Sequence, residues 1–97
     1  MLIRIVRMTF KEEDVQDFLT MFNETKSKIR NFKGCQHLTL LRDAKQPNIF
    51  MTYSIWKNEE ALEDYRNSEL FKTTWKRTKQ WFAAKPVAYS AYEEMKV

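Results

Sequence analysis

Strand-like and helix-like segments alternate along this chain in the order β-α-β-β-α-β, and few folds accept that order. Leu2 to Phe10 is rich in branched and apolar residues and reads as a first strand. Lys11 to Lys33 places Val15, Phe18, Leu19, Phe22, Thr25 or Lys26, Ile29 and Phe32 at the i, i+3, i+4, i+7 spacing of an amphipathic helix. Gly34, the only glycine, stands where a left-handed residue ends such a helix. Cys35 to Arg42 and Ile49 to Trp56 read as the second and third strands, joined by the polar turn Asp43 to Asn48. Asn58 caps a short helix over Glu59 to Arg66, and Ser68 caps a second helical piece over Glu69 to Phe82. Pro86 stops that piece before a fourth strand, Val87 to Glu94.

Every helix falls between strands. Right-handed crossovers then set the helices on one face of a four-stranded antiparallel sheet, an α+β, ferredoxin-like βαββαβ plan. With 97 residues and no Gly/Ser-rich linker, the expectation is one domain over residues 1–97.

The second sheet face sets a harder condition. The second strand offers Cys35, His37, Thr39 and Leu41 on one side and Gln36, Leu38, Leu40 and Arg42 on the other. The third offers Ile49, Met51, Tyr53 and Ile55 against Phe50, Thr52, Ser54 and Trp56. Neither side is polar enough to face water. A sheet with helices on one face and apolar groups on both needs a second cover, and an identical sheet is the simplest one. The expected partner is therefore a second copy, in a homodimer.

Composition narrows the function classes. One cysteine allows no internal disulfide, which fits a reducing, cytoplasmic setting. Met1 to Arg7 carries two arginines within its apolar run and reads as a strand rather than a signal peptide. No apolar run approaches the ~20 residues of a membrane span, so no membrane partner is expected. The net charge of +4 is not gathered into one stripe. Carboxylates lead each helix and cations close it, as the helix dipole favours, so these charges read as solvated faces and not as a nucleic-acid surface. The same βαββαβ plan serves RNA-binding domains, but Ile49-Phe50-Met51-Thr52-Tyr53 lacks their glycine and their aromatic spacing.

A single glycine excludes Gly-rich phosphate loops. One histidine and one cysteine make no metal quartet, so no metal site is expected. Two apart on a strand, Cys35 and His37 would share a side. His37 is a candidate general base because imidazole titrates near neutrality. The aromatic set is more telling. Trp56, Tyr65, Phe71, Trp75, Trp81 and Phe82 lie on or beside the second helical half, as core, as pocket lining, or as both. Buried Trp and Tyr also need partners for N–H and O–H. Arg4 and Arg7 point to opposite faces, so one of them reaches the dimer seam or a cavity, where a guanidinium can hold an anionic oxygen.

Over nearly its whole length the chain resembles the antibiotic biosynthesis monooxygenase family of dimeric α/β barrels. The resemblance rests on Ile5-Val6-Arg7-Met8-Thr9-Phe10, on Gly34, and on Leu40-Leu41-Arg42-Asp43. Its strongest carrier is Tyr53-Ser54-Ile55-Trp56-Lys57-Asn58-Glu59-Glu60-Ala61-Leu62, followed by Tyr65, Ser68 and Phe71. Ser54 stands where the family often has Glu, and Tyr65 where it often has His. Trp75 and Val6 stand where haem-degrading relatives have an iron-ligating His and a pocket Asn, so no haem and no other cofactor is expected. The resemblance implies a cofactor-independent monooxygenase that oxygenates a phenolic or quinol-type aromatic molecule with O2. It implies a cavity walled by Trp56, Tyr65, Phe71 and Trp75. His37, Tyr53 or Tyr65 would handle the proton, and Arg4 or Arg7 would stabilise the enolate. The alternative is a non-enzymic small-molecule-binding or stress-response protein on the same dimeric barrel.

Overall fold

The computed structural model describes residues 1–97. Its elements are β1 (Leu2–Thr9), α1 (Val15–Arg30), β2 (Cys35–Arg42), β3 (Ile49–Trp56), α2 (Glu59–Arg66), α3 (Glu69–Lys79) and β4 (Val87–Tyr92). A 3-10 turn, Glu12–Asp14, leads into α1. The strands form one antiparallel sheet in the order β2-β3-β1-β4, the ferredoxin-like arrangement.

Element ends differ from expectation where tertiary contacts take over. α1 stops at Arg30, and the following turn reaches Gly34 at φ 91. α3 stops at Lys79, because Phe82 leaves the helical stripe to bridge Phe10. The Lys11 amide donates to the Trp81 carbonyl at 3.0 Å and the Ala83 amide to Thr9 at 2.8 Å, so the segment after α3 is stitched to the end of β1.

The register decides what each face carries. Leu2, Arg4, Val6 and Met8 of β1 pair with Trp56, Ser54, Thr52 and Phe50 of β3, and this row lies under the helices. Cys35 departs from simple alternation. A β-bulge between Cys35 and His37 puts Cys35 beside Trp56 on the helix face, while His37 pairs with Ile55 on the other. The two side chains therefore do not share a side.

Beneath the helices the core divides in two. Met8, Phe10, Phe18, Met21 and Phe50 form one buried cluster. Leu2, Cys35, Trp56 and Leu62 form the other. The buried stripe of α1 is Phe18, Met21, Thr25 and Ile29, with Leu19 and Phe22 only half-buried. Thr25 tolerates burial because its hydroxyl donates to the Met21 carbonyl at 3.0 Å.

No helix covers the opposite face. Ile3 and Ile5 of β1 and Met51, Tyr53 and Ile55 of β3 lie there half-buried, beside exposed Leu41, Val87 and Tyr89.

Candidate functional site

Between the two core clusters lies a chamber of about 280 Å³. Its floor is the row Arg4, Val6, Met8, Thr52, Ser54 and Trp56, and its roof comes from all three helices. Local sequence explains the roof. The Asn58 side chain caps α2 by accepting from the Ala61 amide at 2.8 Å. Ser68 then breaks and restarts the helix. Its hydroxyl donates to the Tyr65 carbonyl at 2.6 Å and accepts from the Phe71 amide at 3.1 Å, holding Tyr65 and Phe71 on either side of the break.

The rings form a continuous train. Tyr65 stacks on Trp56 with centroids 4.9 Å apart and meets Phe71 edge-on at 5.2 Å. Phe71 stacks on Trp75 at 5.7 Å, and Trp75 meets Phe82 edge-on at 5.6 Å. Such pairs add ~0.5–1.5 kcal/mol beyond the area they bury, so the wall is largely pre-formed. Trp56 is 1% exposed, and its indole N–H donates to Ser54 Oγ at 3.0 Å. Ser54 in turn donates to the Arg4 carbonyl at 3.4 Å. The serine thus supplies the partner that a buried tryptophan requires.

The chamber is positively charged at one end. Arg4 and Arg66 both line it. Arg4 donates to Ser90 Oγ at 2.9 Å. Desolvation first, and then the charge of Arg66, lower the Arg4 pKa from its ordinary high value, while Glu63 opposes them. A guanidinium starting that high stays charged at neutral pH. Burial pushes the Tyr65 phenol well above its ordinary value, with a smaller contribution from Cys35. At neutral pH that phenol is a hydrogen-bond donor and not a base.

The structure brings Arg4, Trp56, Tyr65, Phe71 and Trp75 together around this space. It does not bring His37 or Tyr53 there. Both lie on the uncovered face, where their rings meet edge-on at 5.5 Å and His37 Nε2 sits 2.6 Å from Thr39 Oγ1. Arg7, between Met51 and Val87, is on that face too. Arg66 is the lining residue that sequence reasoning passed over. Its signal was present in the Tyr65-Arg66 pair, but a cation at a helix end reads first as a partner for the dipole. No three His, Cys, Asp or Glu side chains gather in a metal-binding group, and no helix is long and apolar enough to cross a membrane.

A larger furrow of about 580 Å³ runs between α1 and β2, lined by Leu19, Phe22, Lys26, Arg30, Leu38 and Leu40 among others. It is open to solvent, and its Arg30 is already bound to the Cys35 carbonyl at 2.8 Å. The smaller chamber is better enclosed and carries the converging polar groups, which is what a small-molecule site requires.

The family described as antibiotic biosynthesis monooxygenase matches residues 1–77. No curated protein matches the chain. Among solved structures, one described as an antibiotic biosynthesis monooxygenase superposes with a TM-score of 0.90 at 22% identity, over 96% of this chain and 98% of the other. A conserved protein from Methanosarcina mazei Go1 gives 0.90 at 20% identity, over 97% and 94%. A protein from Mycobacterium tuberculosis gives 0.89 at 12% identity, over 98% and 96%. At such identities these likenesses establish the fold.

Proposed function

The chain belongs to the antibiotic biosynthesis monooxygenase family, and from that premise we propose that it oxygenates a small phenolic or quinol-type aromatic molecule with O2, without a cofactor. One observation carries this reading: a partly enclosed chamber walled by Trp56, Tyr65, Phe71 and Trp75, with Arg4 on its floor. Its volume of about 280 Å³ lies just under the ~300–1,000 Å³ typical of drug-sized sites, so the guest has one or two rings.

The chemistry needs little from the protein. A phenolate with an unsubstituted para carbon passes one electron to O2. The resulting phenoxyl radical and superoxide couple at that carbon, and a proton from solvent completes a hydroperoxide. Loss of water from the C–H and O–OH groups leaves a quinone. Phenol plus O2 becomes quinone plus water, with one atom of the O2 in each product and no external reductant. Arg4 stabilises the anion, and the rings hold it flat against the chamber wall.

The uncovered sheet face supports a homodimer, since Ile3, Ile5, Met51, Ile55 and Tyr89 would otherwise meet solvent together. The second reading is a binding protein without chemistry. It is favoured by the absence of any carboxylate or imidazole from the chamber lining. Oxygen uptake by chelator-treated protein, with a panel of one-ring phenols and two-ring naphthols that carry a free para carbon, separates the two. Uptake that scales with protein and yields quinone supports the monooxygenase. Tryptophan quenching by these guests with no uptake supports the binding protein.

A further inference from the structure

We infer that Phe22, together with Leu38, forms the partition that limits the chamber to one- and two-ring guests, and that opening it joins the chamber to the furrow between α1 and β2 and makes room for aromatic guests of three or four rings. The inference rests on the chamber being the binding site, and it names the residues that set the size of what binds there.

The two voids lie on either side of these side chains. Of all the residues that line the chamber and the furrow, only Phe22 and Leu38 line both. Each is half-buried. Beyond them the furrow, at about 580 Å³, continues the apolar surface with Leu19 and Leu40 and adds the cations Lys26 and Arg30. The chamber alone, at about 280 Å³, falls short of what a flat four-ring molecule needs.

The other boundaries do not yield in the same way. The floor is the sheet itself. Tyr65, Phe71 and Trp75 are held in the train of rings, and Phe18 and Met21 are each 1% exposed within the core. Toward β4 the chamber is flanked by Arg66 and Ala88, both exposed. A guest that grows that way meets water and buries little more apolar area. Growth beneath α1 is the direction in which further rings stay covered, and Phe22 stands across it.

Phe22 is also less built into the core than its neighbour. Its ring leans on Phe18 at 5.9 Å, whereas Phe18 stacks on Phe10 at 4.1 Å. The turn of α1 that carries it has its own support, since the Thr25 hydroxyl donates to the Met21 carbonyl at 3.0 Å. Removing the ring therefore opens an existing furrow into the chamber instead of leaving a sealed void in a packed core.

The test compares guests of one chemistry and graded size. 1-Naphthol and 1-hydroxypyrene are titrated calorimetrically into the wild-type protein and into Phe22→Ala, Leu38→Ala and Val15→Ala. Val15 packs against the same core cluster but lines neither void. The wild type should gain no affinity from the two extra rings. Phe22→Ala should raise the affinity for 1-hydroxypyrene relative to 1-naphthol by at least about tenfold, the scale on which apolar pockets discriminate by size. In that variant 1-naphthol should displace 1-hydroxypyrene, because the larger guest occupies chamber and furrow together. Leu38→Ala should shift the ratio in the same direction, and it carries the test if Phe22→Ala fails to fold by circular dichroism. Val15→Ala should leave the wild-type ratio in place. A wild type that already prefers 1-hydroxypyrene, a ratio unmoved in the folded partition variants, an equal gain in Val15→Ala, or 1-hydroxypyrene that 1-naphthol does not displace overturns the inference and leaves the chamber reading standing. No binding of any aromatic guest overturns both.

Discussion

Tyr65 shows how one side chain can serve a wall and a charge balance together. Its ring stacks on Trp56, and the same burial that makes the stack keeps its phenol protonated. In the unfolded chain that phenol ionises near pH ~10. The folded value is higher, so the unfolded state gives up its proton first. The associated stability is complete below about pH 10 and is lost as pH rises toward the folded value. Tyr65→Phe has nothing to titrate there. Its thermal midpoint should fall less steeply than that of the wild type between about pH 9 and pH 11. Parallel slopes would place the phenol in water. At this scale the aromatic spacing was legible and pointed to the rings that line the chamber, while the choice between Arg4 and Arg7 was not, because opposite faces of one strand are equivalent until the helices cover one of them. Arg66 was not, because sequence alone does not separate a cation that completes a helix dipole from one that faces a cavity.

At the scale of elements, caps and breaks did most of the positioning. β2, β3 and α2 match their sequence boundaries because polar punctuation brackets each: Gly34 before β2, the Asp43–Asn48 turn before β3, and Asn58 before α2. The face of α1 was harder to read because the helix serves two surfaces. Phe18, Met21 and Ile29 reach the chamber, while Leu19 lines the outer furrow and Phe22 lines both. The bulge at Cys35 was invisible, since strict alternation is what a bulge breaks. Gly34 carries the tightest requirement of any element junction. It sits at φ +91, and a Cβ there would lie 2.5 Å from that of Ala61 at the start of α2. The Gly34 carbonyl also accepts from the Lys57 amide at 2.8 Å, so the turn cannot swing away cheaply. Gly34→Ala should therefore cost at least ~1–3 kcal/mol in urea-unfolding stability. An unchanged urea midpoint would mean that the turn after α1 is not held in this conformation.

The whole molecule is asymmetric in its covering: three helices over one sheet face, nothing over the other. Leu41 at 42% and Tyr89 at 57% exposure are large side chains left beside a row of half-buried isoleucines. We propose that a second copy covers them. Ile5→Lys, at the centre of that face between Tyr53 and Tyr89, puts a charge where two sheets would meet. The wild type should sediment as a dimer and Ile5→Lys as a folded monomer. Wild-type protein that sediments as a monomer at micromolar concentration would contradict the sheet-to-sheet pairing. His37 and Tyr53 would lie at or near such a seam, away from the chamber floor.

Where an aromatic guest binds tests the chamber account most directly. In a crystal grown with 2,4-dinitrophenol, the account predicts density for a flat ring between the sheet and α3, against Trp56 and Trp75, with the phenolate oxygen turned toward Arg4. Density in the α1–β2 furrow or on the uncovered sheet face, with the chamber closed by its own side chains, would contradict it.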